Sequence, residues 1–185
     1  LVIRNASVVD GTGAPARIAD VAVSDGVITE VGPRLTGTGT REIDADGLTV
    51  TPGFVDIHTH FDGQATWDPI LAPSSIHGVT SIVMGNCGVG FAPARPTPEQ
   101  HAWLIGMLEG VEDIPGTALA EGLAWDWETF PDYMNALDRR EYAIDVATQV
   151  AHAPLRAYVM GERGADPLVA PTVDELARMA MMVRE

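Results

Sequence analysis

The sequence predicts an α/β protein in which a small β-domain precedes a parallel sheet with crossover helices, and three observations predict it. Short runs of apolar and β-branched residues, each closed by a turn dipeptide, fill residues 1–51. From residue 52 the rhythm changes to apolar strands alternating with helical stretches, the pattern of parallel sheets. Thr51-Pro52-Gly53 is a turn signal and sets the boundary between the two parts.

In the first part strands are predicted over 1–9, 18–24, 27–31 and 41–50. Asp10-Gly11, Asp25-Gly26, Gly32-Pro33 and Asp46-Gly47 separate them. Asp25-Gly26 lies between two apolar β-branched runs and reads as a two-residue hairpin loop. Residues 1–51 are therefore expected to form a small β-sandwich-like domain, and nothing in it carries evident chemistry.

In residues 52–185 the first strand runs from Phe54 towards His60. A second is predicted over 80–85, then a Gly/Pro-rich loop over 88–98 and a helix over 98–109. A loop over 111–125, an amphipathic helix over 127–139 and a third strand over 143–150 follow. A last helix starts near Thr172, where Glu175 three residues on completes a capping box. Three βα units fit either an open doubly wound sheet or part of a closed barrel, which needs eight.

Composition removes several classes of function. Eleven basic against 26 acidic side chains give a formal charge of -15, which repels phosphate backbones and anionic lipid surfaces, so no nucleic-acid or membrane partner is expected. No apolar run approaches the roughly 18 residues of a membrane span. The single cysteine, Cys87, has no intramolecular disulfide partner, and no leader is visible before Leu1, so the expected compartment is the cytoplasm.

His58 and His60 stand two apart on a predicted strand, which turns both imidazoles to one face and Thr59 to the other. The strand ends there, at the rim where parallel α/β folds gather their active sites. Two such rings reach one ion, although a lone His-x-His is equally a hydrogen-bonded structural pair. Cys87 follows the second strand between Gly85 and Gly88, and its soft sulfur suits zinc; the bland alternative is a small buried hydrophobe.

The stretch Pro52-Gly-Phe-Val-Asp-Ile-His-Thr-His resembles the first barrel strand of the metal-dependent amidohydrolase superfamily. The blocks beginning at Phe61 (FDGQATWDP), Pro73 (PSSIHGVT), Val83 (VMGNCGVGFAP), Val111 (VEDIPGTAL) and Tyr158 (YVMGERG) look like its N-acyl-D-amino-acid deacylase (D-aminoacylase) branch. The resemblance covers essentially the whole chain, and the Gly-Asn-Cys-Gly block is far more specific than His-x-His.

That resemblance implies the first three βα units of a (β/α)8 TIM-type barrel, incomplete within residues 52–185. It implies that His58, His60 and Cys87 are metal ligands, with Cys87 in the bridging place that many amidohydrolases give to a carboxylated lysine. One or two Zn2+ ions and a small N-acyl-D-amino acid as substrate follow from it. It also places the general-base Asp and further histidine ligands beyond residue 185, so the fragment alone is expected to bind zinc weakly and to turn nothing over.

His152, after the third strand, and Arg156, four residues on, are candidate substrate-binding groups; a guanidinium suits a substrate carboxylate. Trp67 in the first loop is a candidate pocket wall. Asp56 shares the histidines' face as a possible partner of an imidazole N–H, or as a plain core carboxylate. Asp62 and Asp68 lie in the loop beyond, close enough to line the site, although acidic loop residues are usually just solvated. His77 before Gly78 reads as a helix C-terminus, His101 as a surface residue, and Trp103, Trp125 and Trp127 as packing residues.

Two rival readings stand beside this one. A cyclic amidase of the hydantoinase or dihydroorotase kind shares His-x-His but uses the later lysine, which the cysteine block disfavours. A non-catalytic metal-binding module is the other.

Overall fold

The computed structural model describes residues 1–185, the side chain of Glu112 excepted, and divides into two compact units, Leu1–Gly53 and Phe54–Glu185. No helix among the described residues is long and apolar enough to cross a membrane.

The first unit contains β1 (Val2–Val8), β2 (Arg17–Ser24), β3 (Val27–Gly32), β4 (Glu42–Asp44) and β5 (Thr49–Val50). They form one mixed sheet in the order β3-β2-β1-β4, with β5 also on β1, so the sandwich-like expectation is corrected to a single layer. The physical reason is that the predicted strand over 41–50 breaks at Ala45-Asp46-Gly47, and its halves pair in succession, both parallel, with the same edge of β1. The hairpin forms as expected: Asp25 (φ 50°) and Gly26 (φ 76°) are both left-handed, the turn whose twist matches paired strands. Asn5 (φ 58°) makes a bulge in β1, and its backbone N–H is met by Asp20 at 2.9 Å.

Asp20 is buried and also accepts from the Leu35 N–H at 3.0 Å and from Arg4 at 3.1 Å. Arg4 in turn reaches Glu42 at 3.0 Å and the Leu35 and Gly37 carbonyls. Those backbone bonds, then the guanidinium, hold the Asp20 carboxyl below its usual range.

The second unit has β6 (Phe54–Asp56), β7 (Val79–Met84) and β8 (Asp145–Thr148), all parallel and in sequence order. Five helices accompany them: α1 (Pro98–Glu112), α2 (Gly116–Gly122), α3 (Phe130–Asp138), α4 (His152–Met160) and α5 (Val173–Met182). Ile82 and Met84 of the central strand pack with Leu71, Phe91, Leu104, Leu108, Leu119 and Tyr133 in the core. Met179 of α5 joins Leu155, Tyr158, Val159 and Met160 of α4 in a second cluster.

Local chemistry sets the boundaries. Thr97 caps α1 and Pro98 opens it, while Thr129 with Asp132, and Thr172 with Glu175, form capping boxes. The box at Thr129 starts the helix predicted over 127–139 three residues late, leaving Trp127 free to donate to the Phe91 carbonyl at 2.9 Å. The predicted loop over 111–125 contains α2, because Leu119 finds a fully buried place. The segment after β8 is helical from His152, since Pro154 falls in the first turn where no N–H is needed. His101, expected at the surface, is half-buried, with its ring stacked on Trp125 at 3.8 Å and 3°. His77 ends a single 3-10 turn closed by the left-handed Gly78.

Candidate metal centre

The regular part of β6 stops at Asp56, four residues earlier than the expected strand. The alternation nevertheless continues, because the Thr59 N–H donates to the Val83 carbonyl at 3.0 Å and so keeps the chain beside β7. Thr59 is buried and its hydroxyl also donates to that carbonyl, at 2.9 Å. His58 and His60 consequently turn the other way, their ring centroids 5.6 Å apart. Asp56 does not reach an imidazole: it accepts the backbone N–H of His58 at 3.1 Å and turns the chain out of the strand.

Cys87 lies in a 3-10 turn, Asn86–Gly88, directly after β7. Gly85 (φ 79°), Cys87 (φ 55°) and Gly88 (φ 76°) are left-handed, and this reversal brings the thiol back over the strand ends. Cys87 is exposed, and its Sγ stands 3.1 Å from His58 Nε2. One donor atom from each of His58, His60 and Cys87 lies within 4.8 Å of the other two. Zinc bonds of about 2.0–2.3 Å give a tetrahedron with edges of about 3.5 Å, so the trio needs only small side-chain motion to share one ion.

The electrostatics fit a cation. Burial, then the neighbouring His58, lower the pKa of His60 and favour the neutral ring that binds metal. His60 Nδ1 is buried and has no hydrogen-bond partner. Donor chemistry and an orphaned nitrogen thus agree.

Asp62, expected to be solvated, is 1% exposed. One carboxylate oxygen accepts the Gly85 N–H at 3.2 Å, and its carbonyl accepts the Tyr133 hydroxyl at 2.9 Å. Burial pushes its pKa up to about 7, against the lowering effect of the Gly85 bond. Asp68 folds onto its own loop, taking bonds from Gln64 at 2.6 Å and Ile70 N–H at 2.8 Å.

Of the three candidate substrate groups, His152 lies beside the turn that carries Cys87. It is exposed at the start of α4, and a Cβ on Gly88 would lie 3.5 Å from its own Cβ. Arg156 is not brought there: it is 9% exposed and donates to the carbonyls of Gly164, Asp166 and Val169 at 3.3, 3.0 and 2.8 Å. Trp67 lies flat enough on α2 that a Cβ at Gly122 would meet its ring at 2.8 Å.

Sequence reasoning passed over Asn86 and Gln149. The Asn86 amide donates to the Thr59 and Val83 carbonyls at 3.2 and 2.8 Å and accepts from Gln149 Nε2 at 2.8 Å. The only signal was the polar residue inside Gly-Asn-Cys-Gly.

Residues 41–183 match the model of the Amidohydrolase family. The chain is 35% identical over 185 residues to N-acyl-D-aspartate deacylase of Alcaligenes xylosoxydans xylosoxydans, covering all of this chain and 34% of that one. A crystal structure of D-aminoacylase, described as defining a novel subset of amidohydrolases, superposes with a TM-score of 0.78 at 34% identity, over 98% of this chain and 35% of that one. N-acyl-D-glutamate deacylase from Bordetella bronchiseptica, complexed with zinc and a phosphonate mimic of the tetrahedral intermediate, gives 0.72 at 34% identity, over 98% and 34%. The chain spans about a third of the length of the curated relatives it matches.

Proposed function

The chain belongs to the amidohydrolase family, and on that premise we propose that the whole protein is a zinc-dependent hydrolase of the amide bond of N-acyl-D-amino acids. The observation that carries the proposal is the meeting of His58, His60 and Cys87 within 4.8 Å at the ends of β6 and β7. The cysteine favours the deacylase reading over the cyclic-amidase one, and the named relatives act on acylated D-amino acids.

In this reading His58, His60 and Cys87 hold one or two zinc ions. Bound there, zinc lowers the pKa of a coordinated water to about 7 and polarises the scissile carbonyl. His60, whose neutral form burial favours, offers a ring nitrogen to the metal. His152 stands at the rim beside the Cys87 turn, where a group of the substrate comes within its reach.

We also propose that the parallel sheet is part of a (β/α)8 barrel. β6 and β8 each pair only with β7 among the described residues, and Phe54, Val55 and Ile57 are exposed by 60% or more. The general base and remaining ligands would come from later strands, and residues 1–185 alone would turn over nothing.

The test is to load the full-length protein with zinc and assay N-acetyl-D-amino acids beside hydantoins. Hydrolysis of the former, lost on chelation and restored by zinc, is expected. Turnover of hydantoins alone would overturn the substrate assignment.

A further inference from the structure

Cys87 does not hold its own position. It is a non-glycine residue at φ 55°, a left-handed conformation disfavoured in an L-residue, and it is exposed, so something outside its side chain must fix the turn. The residue before it is the one polar group of that turn that is buried, at 9% exposure.

The Asn86 amide touches the ends of all three strands. Its nitrogen donates to the carbonyl of Thr59, which is the peptide link to His60, and to that of Val83 near the end of β7. Its oxygen accepts from Gln149, the residue after β8. One planar group therefore ties the backbone carrying the histidines to the backbone carrying the cysteine. An amide suits this place, since its nitrogen donates to both carbonyls while its oxygen accepts from Gln149. A carboxylate would face two carbonyl oxygens with nothing to donate.

We propose that Asn86 is a positioning residue for the metal cluster, setting the distance between Cys87 and the histidine pair; the inference rests on the zinc-site reading above. It does not touch the ion. It acts through the peptide groups on either side.

The test uses the full-length protein loaded with cobalt(II), whose thiolate charge-transfer absorption in the near ultraviolet reports the Cys87 bond without any turnover. The band is expected in the parent protein and absent in Cys87→Ala. Asn86→Ala and Asn86→Asp, where circular dichroism shows them folded, should weaken or lose the band, with cobalt affinity lowered by about tenfold to hundredfold. Gln149→Ala leaves both amide donors in place and should shift band and affinity the same way, by less; it decides the matter if the Asn86 variants do not fold. Folded Asn86 variants with the parental band and affinity overturn the proposal, as does an unchanged Gln149→Ala when it alone is folded. A parent protein with no thiolate band instead overturns the ligand reading of Cys87.

Discussion

His58 Nε2 and Cys87 Sγ lie 3.1 Å apart although 29 residues separate them in the chain. One lies just beyond β6 and the other in the turn after β7, and the parallel pairing of these strands is what brings them together. Removing either partner should release the ion. In His58→Ala or Cys87→Ala, zinc affinity should fall by more than the tenfold to hundredfold typical of losing a mere supporting group, measured by competition with a chromogenic chelator. Unaltered affinity in both variants would remove the site.

The turn after β7 tolerates no side chain at its first position. Gly85 has φ 79°, and a Cβ there would overlap the Gln149 carbonyl oxygen and lie 3.0 Å from the Gln149 nitrogen. Gly85→Ala should therefore destabilise by more than the roughly 1 kcal/mol of a strained backbone alone, and should weaken zinc binding together with stability. Denaturant titration and metal competition on the same sample check this.

Arg156 is a clamp on the 164–169 segment. Truncation to alanine strips a charged donor from three carbonyls and should cost about 2–3 kcal/mol, the scale of a charged hydrogen bond network of this size. If the residue serves the fold, melting temperature falls while KM for an N-acyl-D-amino acid stays within a few-fold. A large rise in KM with unchanged stability would return Arg156 to the substrate.

Asp20 makes the first unit sensitive to acid. Its folded pKa lies below the unfolded value near 3.8, so it contributes stability that is complete above that value and lost as pH falls through the folded pKa. Asp20→Asn should lower the melting temperature at neutral pH, and the gap from the parent should narrow below about pH 4. A gap independent of pH would show that the carboxylate's charge is not what matters.

Much of the site was legible in the primary structure. Spacing of two placed His58 and His60 on one face, and glycines flanking Cys87 announced an unusual turn after a strand. The first strand proved shorter than expected, yet the alternation survived because the Thr59 N–H continues the pairing with Val83. Boundaries of the helices were less legible where a side chain had a long-range errand, as with Trp127 and the Phe91 carbonyl.

By itself the sequence determined the periodicities, the turn dipeptides and the three donor atoms, because these depend on neighbours a few residues away. Tertiary structure alone decided where the polar groups found partners. Asp62 became a buried carboxyl, Arg156 turned to three backbone carbonyls, and Asn86 reached across three strand ends. Hydrogen-bond partners are chosen by proximity in space, and proximity between residues 59, 86 and 149 does not exist until the sheet has formed.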